Sequence, residues 1–184
     1  MQQLRQLGFA AASLTVLSIA SPGHAELAGA SDSRVEFEAS GPAGLKLTGS
    51  TTELKASEVS GNVVVTVALG NLSTGISLRD QHMREKYLEV PKFPVTTLTV
   101  ARSALNLPAP GQKTEGDVQG TLSLHGQTRP VTVHYDSKAE GGAFVTHGKF
   151  HVNMNDFGIT VPVYLGVTVK PDVDVTASFK VTGN

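Results

Sequence analysis

Residues 120–133 read Gly-Thr-Leu-Ser-Leu-His-Gly-Gln-Thr-Arg-Pro-Val-Thr-Val, and this stretch decides the fold class. Apolar residues occupy alternate positions on both sides of Gly126, a residue that permits a tight turn. The stretch therefore predicts a β-hairpin, with Pro130 expected at the start of its strand or at a bulge because proline cannot donate to a ladder. The apolar residues expected to face each other across the hairpin are Leu122, Leu124, Val131 and Val133.

The same alternation recurs along most of the chain. It is clearest in residues 34–39, 62–69 and 173–181, where valine, alanine and phenylalanine alternate with charged or hydroxyl residues. About seven to nine short strands joined by turns predict an antiparallel β-sandwich or a closed barrel. Many valines, threonines and alanines, with few aromatic residues, favour a barrel of about eight strands whose interior can hold a small ligand. The remaining apolar residues expected to line this interior are Val63, Val65, Val67, Val175 and Phe179.

Residues 73–94 form the one clearly helical stretch and concentrate charge in a chain that is only 17% charged. Ser77 followed by Asp80 fits a capping box, and Asp80 is also placed to pair with Arg84 one turn later. A polar helix in a weakly charged β-protein suggests a lid or portal at the mouth of the barrel. Met83 and Tyr87 lie on its apolar stripe and are expected to contact the interior.

The first 25 residues resemble a secretory signal. A weakly basic start is followed by an apolar run from Leu7 to Ala20 and by small residues ending at Ala25. Removal of 25 residues from 184 leaves 159, residues 26–184, which suit a single domain. We therefore expect a soluble protein exported to the periplasm. The chain has no cysteine, so the core alone must stabilise the fold.

Composition excludes several functions. The formal net charge is −1 and there is no tryptophan, so nucleic acid is not an expected partner. The histidines show no metal-ligand spacing, and no nucleophile motif or glycine-rich phosphate loop is present. We accordingly expect no metal, no cofactor and no catalytic activity.

Three segments together resemble one family. They are the helical stretch, read as Thr74-Gly-Ile through Phe93-Pro94; the hairpin of residues 120–133; and Asp156-Phe-Gly158 followed by residues 173–179. In this order, behind a signal sequence, they resemble the YceI-like group of bacterial envelope proteins. The resemblance spans about Ser33 to Val181. It implies a lipocalin-like antiparallel barrel that holds a polyisoprenoid or another lipid chain.

On this resemblance the expected function is a lipid carrier for an isoprenoid or quinone-like chain. Chain burial gives affinity but little discrimination, so the polar mouth matters, and Arg79 and His82 are the candidate head-group donors. Where many family members carry a pair of phenylalanines, the sequence here reads Lys86-Tyr87-Leu88-Glu89. The ligand therefore does not follow from the fold.

Two alternatives remain open at this stage. One is an envelope β-sandwich with a filled core that acts as an interaction or stress module. The other is a redox accessory of a membrane cytochrome that uses His82 and Asp80. Transient contact with a membrane or a membrane protein is compatible with the carrier hypothesis, as is either a monomer or a homodimer.

Overall fold

The computed structural model describes residues 27–164 and 166–183, and strands dominate this part of the chain. The expected signal sequence, residues 1–25, lies outside it. One α-helix, α1 (Ser77–His82), is followed directly by a π-helical turn at Met83–Tyr87. The strands are β1 (Leu27–Ser40), β2 (Lys46–Thr51), β3 (Leu54–Val59), β4 (Asn62–Ala68), β5 (Val95–Ala101), β6 (Lys113–Leu124), β7 (Gln127–Glu140), β8 (Ala143–Asn153), β9 (Val163–Tyr164), β10 (Val167–Thr168) and β11 (Asp172–Gly183).

Antiparallel pairing closes these strands into a barrel. The order runs β11, β8, β7, β6, β5, β4, β3, β1, and β11 pairs back to β1. β2 pairs with the second half of β1, while β3 meets its first half at Ala28, so β2 and β3 act as one interrupted strand. The circumference thus has eight strands, and the predicted lipocalin-like barrel is confirmed. The sandwich alternative is wrong, because closure leaves no pair of facing sheets.

The period-two pattern of the sequence places the core inside the ring. In β7, alternate residues from Val131 to Ala139 are buried, while their neighbours Thr132 and His134 are exposed. Strand β11 shows the same alternation, with Val173 and Val181 buried and Asp174 exposed. All predicted interior positions on the strands therefore share the inward face.

The two ends of the barrel are built differently. We call the helix end the one that carries α1, the β1–β2 turn, the β6–β7 turn and the connection from β8 to β11. The opposite, loop end carries the β3–β4 turn, the 102–112 loop between β5 and β6, and the β7–β8 turn. The main core cluster fills the helix end. Its buried members there include Leu122, Val131, Val152, Phe157, Ile159 and Val169.

Several local expectations need correction. No capping box forms at α1: the N-cap residue is Ile76, Ser77 is already helical, and no side chain caps the helix. Pro130 lies inside β7 opposite Thr121, not at a strand start or a bulge. Because β8 pairs with β7 only from His134 onward, β7 has a free edge at Pro130, where a missing N–H is tolerated.

Candidate functional site

An apolar cavity lies inside the barrel, towards the loop end. Its volume is about 90 Å³, and none of the residues that line it carries a charge. Side chains from β3, β4, β5, β6, β7, β8 and β11 contribute to the wall, so the cavity is a property of the closed ring. The predicted site residues found in this wall are Val63, Val65, Val133 and Phe179.

The other predicted interior residues lie outside the cavity wall. Val67 is buried in a small cluster with Leu54 and Ala56. Leu122 and Val131 are buried in the main core, and Leu124, Val175 and Tyr87 pack against it. Met83 is half-buried. Apart from Met83, these side chains pack in the core clusters. A ligand-binding role for all of them, Met83 included, stays a prediction.

Arg79 and His82, the predicted head-group donors, do not line the cavity. The Arg79 side chain donates from Nε to Thr74 Oγ1 at 2.7 Å and from Nη2 to Thr74 O at 2.8 Å. His82 is exposed at the end of α1. The guanidinium is therefore engaged in holding the chain that precedes the helix. A head-group role for the two residues stays a prediction.

Asp80 is the buried charge of the helix end, with 6% of its surface exposed. It accepts hydrogen bonds from Ser73 Oγ at 2.6 Å, from Thr74 N at 2.7 Å and from the Thr74 hydroxyl. Burial by itself would raise the pKa of Asp80. The hydrogen bonds from Ser73 and Thr74, helped by the charge of Arg84, outweigh burial and hold this pKa below its ordinary value. Asp80 thus anchors the segment before α1 and does not cap the helix.

The second half of the helical stretch is tied to the hairpin through His125. Its Nδ1 lies 3.0 Å from the Phe157 carbonyl oxygen, and its Nε2 lies 2.8 Å from Glu89 Oε2. The ring packs on Phe93 with centroids 4.7 Å apart. Gly126 is required beside it, because a Cβ there would lie 2.7 Å from Phe93 and the backbone φ is +73°. The three sequence motifs therefore converge on one structural lock at the helix end.

The 102–112 loop crosses the loop end and closes the cavity there. Leu105 and Leu107 contribute to the cavity wall. The loop is held by Asn106, whose N–H donates to the Tyr135 hydroxyl at 2.9 Å and whose carbonyl accepts from Thr114 Oγ1 at 2.6 Å. The two ends of the loop are anchored by backbone hydrogen bonds from Arg102 N to Gly61 O at 2.9 Å, from Gly111 N to Ala139 O at 3.1 Å and from Ala139 N to Gln112 O at 3.1 Å. Between these anchors, the segment that carries Leu105 and Leu107 is held to the barrel by the two hydrogen bonds of Asn106.

A buried ion pair stands at the start of this loop. Arg102 Nε lies 3.5 Å from Glu58 Oε2, and the two side chains are 16% and 14% exposed. Neither atom makes a hydrogen bond within the described part of the chain. Such a poorly satisfied pair contributes little net stability. The loop end is therefore the weaker closure of the barrel.

Sequence reasoning missed much of the cavity wall. Tyr135 and Ser137 continue the inward period of Val131 and Val133, so extending the hairpin pattern along β7 would have found them. Leu105 and Leu107 carried no such signal, because they lie in a proline-rich loop without periodicity. The phenylalanines that were missed are Phe144 and Phe150.

The remaining titratable clusters face outward. His151 lies between Asp174 and Asp172 at 3.3 Å from each, and His134 lies 2.8 Å from Asp117. Within residues 27–164 and 166–183, no group of three or more potential ligand side chains could hold a metal ion. Over the same residues, no helix is long and apolar enough to cross a membrane.

Comparison with known proteins agrees with this geometry. The model of the YceI-like domain matches residues 28–181, nearly the whole described chain. The chain belongs to the YceI-like family. Among curated relatives, a UPF0312 protein of Pseudomonas syringae pv. tomato is 33% identical over 121 residues, covering 61% of this chain and 58% of the relative. Protein YceI of Salmonella arizonae is 32% identical over 110 residues, covering 53% and 52%.

This YceI-like chain thus aligns with little more than half the length of those relatives. Two solved structures share its fold. A polyisoprenoid binding domain from Saccharophagus degradans, implicated in plant cell wall breakdown, superposes with a TM-score of 0.72 at 19% identity, covering 88% of this chain and all of that domain. BcnA from Burkholderia cenocepacia gives 0.65 at 16% identity, covering 80% and 95%. At these identities the likeness shows the fold.

Proposed function

We propose that this YceI-like protein binds an apolar lipid chain, of isoprenoid or quinone-like type, inside its barrel and carries it in the periplasm. The uncharged cavity enclosed by a closed ring is the observation that carries the proposal. The polyisoprenoid binding domain with the same fold supports the ligand class. Each buried CH₂ group contributes about 0.8 kcal/mol, which gives affinity without a charged contact.

The ligand enters and leaves at the loop end. The helix end is filled by the core cluster and held by the Asp80 and His125 hydrogen bonds. At the loop end, by contrast, the segment that covers the cavity contributes Leu105 and Leu107 and is held to the barrel by the hydrogen bonds of Asn106, while the two ends of the loop stay anchored by backbone hydrogen bonds. Displacing two leucines costs less free energy than opening a packed core, so the ligand enters and leaves past the 102–112 loop.

The size of the cavity adds a requirement. Its volume of about 90 Å³ is well below the roughly 300–1,000 Å³ of ordinary ligand pockets. A long chain can therefore be enclosed only when the interior widens. Phe144, Phe150 and Phe179 in the wall are the side chains whose rotation makes room, and the outward movement of Leu105 and Leu107 lengthens the cavity.

Binding without catalysis suits this wall. Apart from the Tyr135 phenol, the cavity contains no titratable side chain. A reaction by general acid and base needs positioned groups that exchange protons near neutral pH. The Tyr135 oxygen already accepts the Asn106 N–H, so this hydroxyl has a structural role in holding the loop. We therefore propose carriage and no chemical conversion of the lipid.

The proposal is tested with one substitution that fills the cavity and one that adds the same bulk on the outer surface. A Cβ on Gly148 would meet only Val133 Cγ1 at 3.6 Å, an ordinary van der Waals contact, so Gly148→Leu places its side chain in the cavity without a backbone clash. Thr176→Leu, on the exposed outer face, adds the same bulk outside. Both variants and the wild type are expressed with the signal sequence, recovered from the envelope and analysed by native mass spectrometry with lipid extraction.

The expected result is a stoichiometric lipid in the wild type and in Thr176→Leu, and its loss in a folded Gly148→Leu protein. Retention of the lipid by Gly148→Leu would exclude the cavity as the binding site. If the wild type carries no lipid and also fails to bind added polyprenol, quinone and fatty acid, the carrier function is wrong.

A further inference from the structure

Two hydroxyl side chains interrupt the apolar wall of the cavity. Ser137 in β7 and Thr146 in β8 are direct partners in the antiparallel register. Both line the cavity, and their oxygen atoms lie 3.0 Å apart. Ser137 is only 1% exposed, although serine is mostly a surface residue. Thr146 is half-buried. A hydroxyl pair with one fully buried member, at a wall of valine, leucine and phenylalanine, requires an explanation.

The hydrogen-bond count of this pair is incomplete. Each hydroxyl brings one proton and accepts through two lone pairs. One proton is used in the bond between the two oxygens, and the second has no protein acceptor among the hydrogen bonds of the described residues. If the pair were purely structural, two apolar residues of the same shape would serve at least as well. The spare proton points instead to a partner inside the cavity.

The chemistry of the wall limits what this partner can be. No charged side chain lines the cavity, so a phosphate or carboxylate there would be buried without compensation. A carbonyl, an ether or an alcohol oxygen accepts one hydrogen bond and remains neutral. Such an oxygen loses its water on entry and regains one hydrogen bond from the pair.

We propose that the Ser137–Thr146 hydroxyl pair recognises a neutral oxygen of the bound lipid, so that the preferred ligand is an oxygenated isoprenoid and not a hydrocarbon. This inference rests on the proposed function, since it places the same ligand in the same cavity. The pair lies near the β7–β8 turn, one inward position from Tyr135, which holds the 102–112 loop. The oxygen of the ligand therefore sits close to the loop end, and its hydrocarbon chain reaches inward towards Leu98 and Phe150, which border the main core.

Two acyclic monoterpenes test the proposal: geraniol, which carries a hydroxyl, and myrcene, which has no oxygen. Affinities for both are measured by displacement of the fluorescent reporter N-phenylnaphthylamine. The double variant Ser137→Ala/Thr146→Val removes both hydroxyls and keeps the volume of the wall. Its matched control is Ser178→Ala/Thr176→Val on β11, where both residues belong to the outward set.

The double variant is expected to lose about three- to tenfold more affinity for geraniol than for myrcene, which corresponds to one hydrogen bond. The outward control keeps the wild-type ratio. Because both partners are replaced together, the double variant should melt close to the wild type. Should it fail to fold, Ser137→Ala alone is compared with Thr146→Ser, which keeps its hydroxyl and must keep the wild-type ratio.

Equal changes for the two terpenes would overturn the role of the hydroxyl pair and leave the proposed cavity intact. If the wild type binds neither terpene, this inference is wrong, whereas the proposed function is decided separately by the copurified lipid and by the binding of added polyprenol, quinone and fatty acid. A wild type that binds myrcene at least as tightly as geraniol, with no change of the ratio in the double variant, would also overturn the inference.

Discussion

The helix end and the loop end are made of the same eight strands, yet they close the barrel in different ways. At the helix end, buried side chains fill the interior and a buried carboxylate and a histidine lock three connecting segments together. At the loop end, Leu105 and Leu107 of the 102–112 loop cover a cavity, and the Tyr135 hydroxyl holds this loop by a hydrogen bond. Stability is thus concentrated at the helix end, and the ligand access that we propose lies at the opposite end of the same barrel.

The largest expected difference between the ends concerns packing. Phe157, 2% exposed in the filled end, and Phe179, in the cavity wall, are both phenylalanines of the interior. Phe157→Ala should lower the free energy of unfolding by about 3–5 kcal/mol. Phe179→Ala should cost less, because part of that ring already borders empty space. Urea unfolding of the two variants makes the comparison, and equal losses would mean that the ends are packed alike.

The next effect concerns the lock. Asp80→Asn should lower the free energy of unfolding by about 1.5–3 kcal/mol at neutral pH, since hydrogen bonds to a charged carboxylate are lost. The pKa of Asp80 is lowered in the folded state, so its contribution is present above its ordinary value near 4. It is lost as the pH falls through the lowered pKa.

Unfolding of wild type and Asp80→Asn measured at neutral and at acid pH tests that sign. The gap between the two proteins should shrink in acid. Glu85→Gln is the control, because Glu85 is exposed on the same stretch and, among the described residues, its side chain accepts hydrogen bonds only from Gln81. A gap that stays constant with pH would show that the charge of Asp80 does not contribute.

A smaller loss of stability is expected when the 102–112 loop is loosened. Tyr135→Phe removes the acceptor of the Asn106 N–H and should cost about 1 kcal/mol or less. Hydrogen exchange at Asn106 should become faster, and the release of bound geraniol should accelerate. Tyr87→Phe removes a hydroxyl near the helix end and should leave both rates unchanged. If Tyr135→Phe alters neither rate, the 102–112 loop is not the route of entry.

The smallest effect lies on the outer surface, which belongs to neither closure. The hydrogen bond to Asp174 raises the pKa of His151; partial burial opposes this shift, and Asp172 adds to it. His151→Gln should therefore reduce the melting temperature slightly below about pH 6.5, and the difference should vanish as the pH rises through the raised pKa. Solvent screens so exposed a pair. Geraniol affinity should not change, and a change would link the outer surface to the cavity.

The sequence predicted which residues face the interior better than it predicted where the cavity lies. Period-two alternation in β4, β6, β7 and β11 indicates which residues share a face. The alternation fits a sandwich as well as a barrel, and the barrel is favoured by the small aliphatic composition and by the family resemblance. The pattern cannot show how far the interior is filled, because Val131 in the core and Val133 in the cavity wall look alike in sequence. Filling depends on which side chains from distant strands meet.

The helical stretch shows a second limit of reasoning from sequence, which concerns the partners of its charged side chains. Its charges suggested a portal. In the structure, Asp80 accepts hydrogen bonds from Ser73 and Thr74, and Arg79 donates to Thr74. Sequence spacing predicts neighbours within a helix and not partners in the preceding loop. The actual cavity is covered by a loop without periodicity, and the leucines that cover it carried no signal.

Methyl-resolved NMR during a titration with geraniol tests the central claim most directly. The account predicts that the methyl signals of Val63, Val65 and Leu107, at the cavity, shift in proportion to bound ligand. Those of Ile159 and Val169, in the filled helix end, should stay in place. Shifts concentrated at Ile159 and Val169, or near Met83 beside α1, would contradict the assignment of the ligand cavity and of the entry route to the loop end.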